Sequence, residues 1–424
     1  MKISPTMVMI TSDISMRSNS PSQFAKMVMI LLIISPVLEC YGWGKFNFAF
    51  IVMSLLAVYH LMTNGFRHTK APKNFFLYLG WWYLSHVLSS SSIGELLPLG
   101  LFKIALTYKM FIDIFDLDYF MPRYKTVANL IIAYFYVQEI VKLTVGIHLP
   151  SVIPALPIAI QEDAQAYIQS SIESERSSGF FKEPAVFAQF LLPLLCYELL
   201  AKAKNNWKYI AFLGITLLWS RAGNAMIGLL AVAVCYLFYV IRFQKGAKKF
   251  GIIIFGAVFA IGCLAIFMKT DGGQKIKERA DSIGMEDTID KGYAGSTFLR
   301  IYQGLFIFEE YPRIYKLIGN DHDTYITNKA LSSPILSKFY KQKDFVIYFN
   351  TLYAVLIYTG YIGLILLILF FRDAWKGNTY CGKSILIVLI SLFFISSNFF
   401  TQIMTFYLLP TLGMKEINNK IKRI

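Results

Sequence analysis

The sequence predicts an all-α polytopic integral membrane protein with cytoplasmic N- and C-termini, and three observations support this fold class. Of the 424 residues, 56% are hydrophobic and 16% aromatic, and the mean hydropathy is +0.52, which is above the range of soluble domains. Apolar runs recur along the whole chain, and at roughly 20 residues for each crossing they make about 12 transmembrane helices. The basic residues behind the net charge of +15 concentrate in alternate connections between these runs.

The predicted spans run through the whole chain, so we expect a single integral membrane domain, residues 1–424. They are residues 25–40, 46–63, 75–90, 96–112, 127–148, 183–200, 208–220, 222–241, 249–268, 347–371, 383–397 and 399–414. The first apolar run, Met27–Leu38, is not followed by a small-residue cleavage site, so we expect a retained span and not a signal peptide.

Every second connection is basic, whereas the short loops opposite carry few charges. The basic positions include Arg67, Lys70, Lys73, Lys109, Arg123, Lys125, Lys202, Lys204, Lys208, Arg242, Lys245, Lys248, Lys249, Arg372, Lys376 and Lys383. By the positive-inside rule these connections face the cytoplasm, so the charge is a topology signal and no nucleic-acid partner is expected. The five cysteines lie in or beside apolar runs, which predicts neither a disulfide framework nor a zinc cluster.

Two long polar connections fall on the external side. Residues 149–182 are acidic and rich in serine and proline, and residues 269–346 form a loop that is too long for a plain connector. Functional residues commonly lie in such loops on a rigid scaffold. The short connection at 201–207 is unlike the long central loop of a two-repeat transporter.

The first charged motif is "ESERSSGFFKEPAVF". Arg176, Lys182 and Glu183 gather at the start of an apolar run, where Pro184 suits the first turn of a helix. An ordinary interfacial pair with snorkelling side chains is the alternative to a binding site.

The second motif, "WSRAGNA", follows a span of only about twelve residues, roughly 18 Å at 1.5 Å per residue. That is shorter than the hydrocarbon core, so we expect Arg221 to lie in a recess below the outer surface. An arginine within the membrane is a functional candidate by default, with a structural salt bridge as the alternative.

The third motif, "GSTFLRIYQGLFIFEEYP", predicts a helix that Ser296 caps and Pro312 ends. Arg300 shares one face of it with Ser296, Gln303 and Gly304, and we interpret this face as a small polar strip open to a ligand. A solvated arginine is the alternative.

The fourth motif is "GNDHDTY". His322 lies between Asp321 and Asp323, and a carboxylate beside a histidine can set the tautomer and basicity of a general base. A metal ligand or a plain loop histidine are the alternatives, and no matching metal-ligand set is evident. The remaining histidines are not flanked by acidic residues in this way; they are His60, His68, His86 and His148.

Polar residues also interrupt the fifth predicted span, at Gln138, Glu139 and Lys142. The spacing of three residues between Glu139 and Lys142 allows the two side chains to pair on one helix face.

Three external arginines together suggest a diphosphate site. Guanidinium groups bind diphosphate bidentately, stay charged, and could stabilise it as a leaving group in place of a divalent cation. His322 or Glu183 would accept the proton of an incoming hydroxyl. This chemistry matches glycosyl transfer from a polyprenyl diphosphate.

The order of these motifs resembles the bacterial O-antigen polymerase and O-antigen ligase superfamily of twelve-span inner-membrane proteins with a large late periplasmic loop. The resemblance covers most of residues 170–370, through "RSSGFFKEPAVFA", "SRAG", "STFLRIYQGLFIFEEYPRIYKLIGND", "HDTY" and "YTGYIGLILLI". It implies substrate-binding roles for Arg176, Arg221 and Arg300 and a catalytic role for His322. The Glu-Pro pair in "FKEPAVFA" is more like the polymerases, since ligases tend to have Asn-Pro-Asn there.

The resemblance implies a multi-pass protein of the bacterial inner membrane that polymerises O-antigen or capsule repeat units. The expected partners are undecaprenyl-diphosphate-linked oligosaccharides, membrane lipid and a chain-length regulator protein, and neither a cofactor nor a metal is expected. The alternatives are a ligase that transfers glycan to lipid A core and a flippase or transporter of lipid-linked oligosaccharide. The long loop at 269–346 and the lack of a half-molecule repeat argue against a transporter.

Overall fold

The computed structural model describes residues 21–43, 46–65, 72–89, 97–151, 176–202, 205–243, 302–337, 349–396 and 401–421. The long helices of this part are α1 (Gln23–Leu38), α2 (Phe48–Asn64), α3 (Lys73–Ser89), α4 (Leu97–Ile114), α5 (Leu117–Val145), α6 (Pro184–Leu200), α7 (Trp207–Trp219), α8 (Gly223–Phe243), α12 (Thr351–Trp375), α13 (Tyr380–Phe393) and α14 (Gln402–Ile421). Three short helices, α9 (Gly304–Glu309), α10 (Arg313–Ile318) and α11 (Asp323–Ser332), precede α12. The strands β1 (Gly42–Trp43) and β2 (Phe46–Asn47) form a small antiparallel pair between α1 and α2.

The structure confirms an all-α fold with membrane character. Helices α5, α8 and α12 are long and apolar enough to cross a membrane, and α1, α2, α6, α7 and α13 are apolar but shorter. Described helices overlap eleven of the twelve predicted spans, and the remaining one, 249–268, lies outside the described residues.

The predicted start of the fifth span is ten residues late. Helix α5 begins at Leu117 because the Asp116 side chain accepts a hydrogen bond from the Tyr119 backbone N–H (2.9 Å), which caps the helix. The first turns carry charges and Pro122, so they resemble a loop in the sequence. The helix ends at Gly146, whose φ of 73° allows its N–H to reach the Lys142 carbonyl.

The helices pack as a bundle around one large apolar core. Helix α3 lies along α12, α6 packs against α8 and α13, and α1 contacts α2 and α5. A cluster of fully or almost fully buried aromatic rings from α5, α6 and α14, namely Phe120, Tyr124, Phe190 and Phe406, joins these elements. The short helices α9 to α11 bury Phe306, Ile307, Phe308 and Ile326 against the first half of α12.

We call the loop end of the bundle the end at which α3, α5, α7 and α13 finish and α6, α8 and α12 begin. Hydrogen bonds tie these termini together: the Ser396 carbonyl after α13 accepts from the Thr351 N–H of α12 (2.8 Å), and the Gln189 amide of α6 donates to the Ser396 hydroxyl (2.9 Å). The opposite end carries its own buried charge, because Glu198 pairs with Lys125 (3.0 Å) and Lys202 (2.8 Å).

Helix α12 is broken at Gly360, which adopts φ 64° and ψ −168°. The break diverts three carbonyls, those of residues 357 to 359, from the regular helical pattern, and such groups need other partners inside a protein. Three donors from α3 and the segment before α11 bond to these carbonyls. The Asn320 N–H donates to Ile357 O (2.8 Å), the Ser85 hydroxyl to Tyr358 O (3.2 Å) and the Trp81 indole to Thr359 O (2.9 Å).

Two glycines allow the segment before α11 to cross α12 backbone against backbone. A Cβ on Gly360 would lie 2.3 Å from the Leu317 carbonyl oxygen, and one on Gly319 would lie 2.4 Å from the Tyr358 carbonyl oxygen. Both glycines have positive φ, 64° and 89°, which L side chains rarely adopt. The crossing therefore fixes where residues 319–322 sit on the bundle.

We expect Gly360→Ala to destabilise the protein by about 3 kcal/mol or more, since it adds a backbone clash to an unfavourable φ. Thermal unfolding of the detergent-purified protein would show the loss as a lower melting temperature. Gly80→Ala in the neighbouring helix α3 is the matched control, because a Cβ there meets nothing within 4 Å, and it should leave the melting temperature unchanged or slightly raised. Equal melting temperatures for both variants would contradict the proposed crossing.

Candidate functional site

A buried carboxylate at the loop end joins three elements. Glu139 of α5 is 5% exposed. Its Oε1 accepts from Lys142 Nζ (2.5 Å) and from the Ser177 hydroxyl (2.5 Å), and its Oε2 accepts from the Trp219 indole N–H (2.8 Å). We call Glu139, Lys142, Ser177 and Trp219 the Glu139 cluster. The predicted pairing of Glu139 with Lys142 is confirmed, and the carboxylate also binds the segment before α6 and the last residue of α7.

The neighbouring Gln138 holds the same segment through its backbone. Its amide oxygen accepts from the Gly179 N–H (2.9 Å) and its amide nitrogen donates to the Gly179 carbonyl (3.2 Å). The amide nitrogen also lies within hydrogen-bonding distance of the Leu149 and Pro150 carbonyls (3.4 and 3.3 Å). A polar residue that is 1% exposed in an apolar helix is thus satisfied by the segment after α5 and the segment before α6, and it fixes both of them to α5.

The segment of Arg176, Lys182 and Glu183 runs across the loop end, and all three residues are half-buried. Glu183 is the N-cap residue of α6 and Pro184 occupies its first turn, as the sequence predicts, although the Glu183 carboxylate makes no capping hydrogen bond. Arg176 immediately precedes Ser177, so its backbone starts beside the Glu139 carboxylate.

Arg221 lies in the turn between α7 and α8. Helix α7 has 13 residues, which agrees with the short span expected from the sequence. The Arg221 side chain is exposed, whereas its neighbours Ser220 and Ala222 are buried, and the expected recess below the outer surface stays a prediction. Arg221 also has a φ of 52°, and it is the only described non-glycine residue with positive φ. This left-handed conformation turns the chain from α7 into α8.

The Glu139 cluster brings the backbones of Arg176 and Arg221 to one place. Ser177 follows Arg176 directly and Trp219 precedes Arg221 by two residues, and both donate to the same carboxylate. The Arg176 and Arg221 side chains therefore belong to two segments that are anchored to the same carboxylate at the loop end. This juxtaposition can present a fork of donors to an anionic ligand.

Arg300 and Ser296 lie outside the described residues. The structure does correct the predicted polar strip beside Arg300, because Gln303 is fully buried and Gly304 packs on α12, where an added Cβ would come 2.4 Å from Tyr353 Cβ. Neither residue therefore forms an exposed polar strip. The helix α9 of this motif ends at Glu309, before Pro312, and buries Phe308.

A second group of side chains, which we call the histidine cluster, surrounds His322. Asp321 Oδ1 bonds to His86 Nδ1 (2.7 Å), and Asp321 Oδ2 accepts from the Trp82 indole N–H (3.0 Å). The His86 and His322 rings stack with centroids 5.2 Å apart and planes inclined by 21°. His322 is the N-cap residue of α11, and its backbone N–H donates to the Asn320 side chain (3.0 Å).

His86 is the residue that sequence reasoning missed. We grouped it with histidines that lack charged company, yet it belongs to α3 and pairs with a carboxylate 235 positions away. The only local signal was a serine and a histidine in an otherwise apolar run, "WWYLSHVL". The sequence predicts that the Asp321 side chain serves its neighbour His322, but in the structure its Oδ1 hydrogen-bonds to His86.

Tyr311 stabilises the backbone that carries Asp321 and His322. Its hydroxyl donates to the Asn320 carbonyl (2.9 Å), and burial raises the pKa of Tyr311 well above its usual value. The hydroxyl therefore stays protonated and remains a donor, which holds residues 320–322 in position.

The two groups offer different chemistry. Imidazole rings beside a carboxylate can accept and hold a proton. The same three side chains, His86, Asp321 and His322, have ligand atoms within 4.8 Å of one another and could hold a metal ion. The arginines beside the Glu139 cluster could bind an anion.

No protein-family model matches this chain, and no curated protein or solved structure matches it either. Its resemblance to the O-antigen polymerase and ligase superfamily stays a prediction, and the functional assignment depends on this chain's own residues.

Proposed function

We propose that this protein is a polysaccharide polymerase that transfers a growing glycan from undecaprenyl diphosphate to a lipid-linked repeat unit. In this proposal it crosses the bacterial inner membrane about 12 times, at roughly 20 residues per span, and its basic connections face the cytoplasm. The loop end of the bundle is then the periplasmic end, where the carrier lipid presents its diphosphate.

The observation that carries the proposal is the shared attachment of the Arg176 and Arg221 segments to Glu139. A diphosphate has several anionic oxygens, and two planar guanidinium groups from segments anchored at one carboxylate suit it better than one. Arg300 is assigned to the same ligand from the motif order in the sequence. All three would neutralise the charge that develops as the diphosphate leaves, and they would do so without a metal ion.

The reaction is a displacement at the anomeric carbon of the donor glycan. A hydroxyl oxygen of the acceptor repeat unit forms the new glycosidic bond, the bond between the anomeric carbon and the diphosphate breaks, and the diphosphate leaves with the electron pair. The hydroxyl proton passes to a base. His322 is our first assignment for that base because it lies beside the Asp321–His86 pair, and Glu183, which sits at the start of α6 near Arg176, is the second.

Reconstitution tests the proposal directly. The full chain in liposomes, given a lipid-linked repeat unit, should produce a ladder of longer lipid-linked glycans, and EDTA should change the rate less than about twofold, since arginines perform the task of a divalent ion. Movement of labelled lipid-linked sugar across the bilayer without elongation would sink the enzyme assignment.

Gene deletion distinguishes a polymerase from a ligase. A cell without the polymerase should display single repeat units on its surface. Long glycans that remain on the carrier lipid and never reach lipid A core would instead identify a ligase.

A further inference from the structure

The histidine cluster contains two imidazoles and one carboxylate from two distant parts of the chain. His86 comes from the last turn of α3, and Asp321 and His322 come from the segment between α10 and α11. Two histidines and a carboxylate are a ligand set that binds zinc and other divalent transition metals with one position left open. The sequence motif "DHD" alone lacks the second imidazole, which α3 supplies.

The spacing of the cluster suits one ion. Ligand atoms around a tetrahedral zinc ion lie about 3.3 Å apart, given metal–ligand bonds of about 2.0 Å. The three candidate ligand atoms are all within 4.8 Å of one another, and the two atoms His86 Nδ1 and Asp321 Oδ1 are 2.7 Å apart. An ion that replaces the hydrogen of this pair needs only side-chain shifts of the order of 1 Å.

The surroundings hold the ligands as a metal site requires. The side chains of His86 and Asp321 are only 5% and 6% exposed, and the Trp82 indole orients the second Asp321 oxygen. Hydrogen bonds of this kind to the ligating groups increase metal affinity. The Ser85 hydroxyl donates to the Ile318 carbonyl (2.5 Å). The close approach of Gly319 to Gly360 also holds the backbone before Asp321 against α12. The ligands are therefore placed before any ion arrives.

We propose that His86, Asp321 and His322 form a binding site for a divalent transition-metal ion of the zinc type. This site goes beyond the proposed transfer reaction, which needs no metal. It connects α3 to the segment before α11. If the proposed role of His322 as the base is correct, a bound ion would slow transfer, because a metal-bound imidazole nitrogen cannot accept a proton.

The test uses the full chain in detergent after removal of metals with a chelator. Titration with Co²⁺ should give visible absorption bands of a low-coordinate site at one ion per chain, and Zn²⁺ should abolish them by displacement. Saturating Zn²⁺ should raise the melting temperature by several degrees, since the ion binds the folded state. Mg²⁺, which prefers oxygen ligands, should do neither.

Variants identify the ligands. His86→Ala and Asp321→Asn should each weaken Zn²⁺ binding at least about 100-fold, and Trp82→Phe should weaken it about 10-fold. His60→Ala is the matched control, because His60 also pairs with an aspartate, Asp113 (3.3 Å), but at the opposite end of the bundle, and it should bind as tightly as the wild type. If His86→Ala does not fold, Asp321→Asn, which keeps the shape of the side chain, decides the matter. Lack of Co²⁺ bands in the wild type, or unchanged affinity in Asp321→Asn, would overturn the proposal.

Discussion

Arg221→Ala is expected to abolish glycan elongation while the protein still inserts and folds. Under the proposed function the Arg221 guanidinium donates to the diphosphate where charge develops, and loss of one such donor costs about 3–4 kcal/mol, or about 100- to 1,000-fold in rate. Arg221→Lys should also be poor, because an ammonium cannot form the bidentate fork. Arg300→Ala should have an equally large effect. The readout is the rate of ladder formation in liposomes.

The backbone of Arg221 offers a sharper version of this experiment. Because its φ is 52°, glycine fits the turn better than arginine does, so Arg221→Gly should fold at least as well as the wild type and still be inactive. Arg242→Ala, at the other end of α8, removes the same charge and should elongate normally. Full activity in Arg221→Ala or Arg221→Gly would count decisively against diphosphate binding by Arg221.

Glu139→Ala is expected to cost both stability and activity. The substitution removes the acceptor of three donors, Lys142, Ser177 and Trp219, and leaves a lysine that is 16% exposed without its carboxylate. We expect a loss of about 3–5 kcal/mol in stability and a loss of elongation, because the Arg176 segment and the α7–α8 turn are no longer held together. Thermal unfolding and the liposome assay measure the two effects.

A double variant separates geometry from charge. In Glu139→Gln with Lys142→Met, the amide oxygen can accept from Trp219 and the amide nitrogen can donate to the Ser177 hydroxyl, so no donor is left unpaired and no charge is buried. This variant should recover most of the stability and much of the activity that Glu139→Gln alone loses. If the double variant melts no higher than the single one, the Glu139 cluster does not act through these hydrogen bonds.

Hydropathy predicted the positions of most long helices well, because the apolar runs are the helices. The start of α6 was also predictable, since Pro184 and the preceding turn residues act locally. The start of α5 was not, because its capping residue Asp116 precedes a stretch whose charges and proline resemble a loop. Capping residues set where a helix begins and ends. Hydropathy predicts such a boundary only when the apolar run begins or ends at the same residue.

The candidate site was predictable only in its separate parts. The sequence pointed to Arg176, Arg221 and His322, and it identified Glu139 and Lys142 as a pair. Sequence spacing carries no information on which helices become neighbours, so it could neither join Ser177 and Trp219 to Glu139 nor bring His86 to Asp321. The break at Gly360 was equally hidden, because "YTGYIGLILLI" has the composition of an uninterrupted span.

The backbone crossing at Gly319 and Gly360 has a consequence for how the large polar connection can be studied. Tyr311 and Asn320 contribute local contacts to Asp321 and His322, but the remaining contacts come from Trp82, Ser85 and His86 of α3 and from the α12 backbone, which lie outside residues 269–346. A water-soluble fragment made from that connection alone would lose this scaffold, and its histidine would be an ordinary imidazole in a short peptide turn. Antibodies or inhibitors directed at Asp321 and His322 should therefore be selected against the intact protein and not against such a fragment.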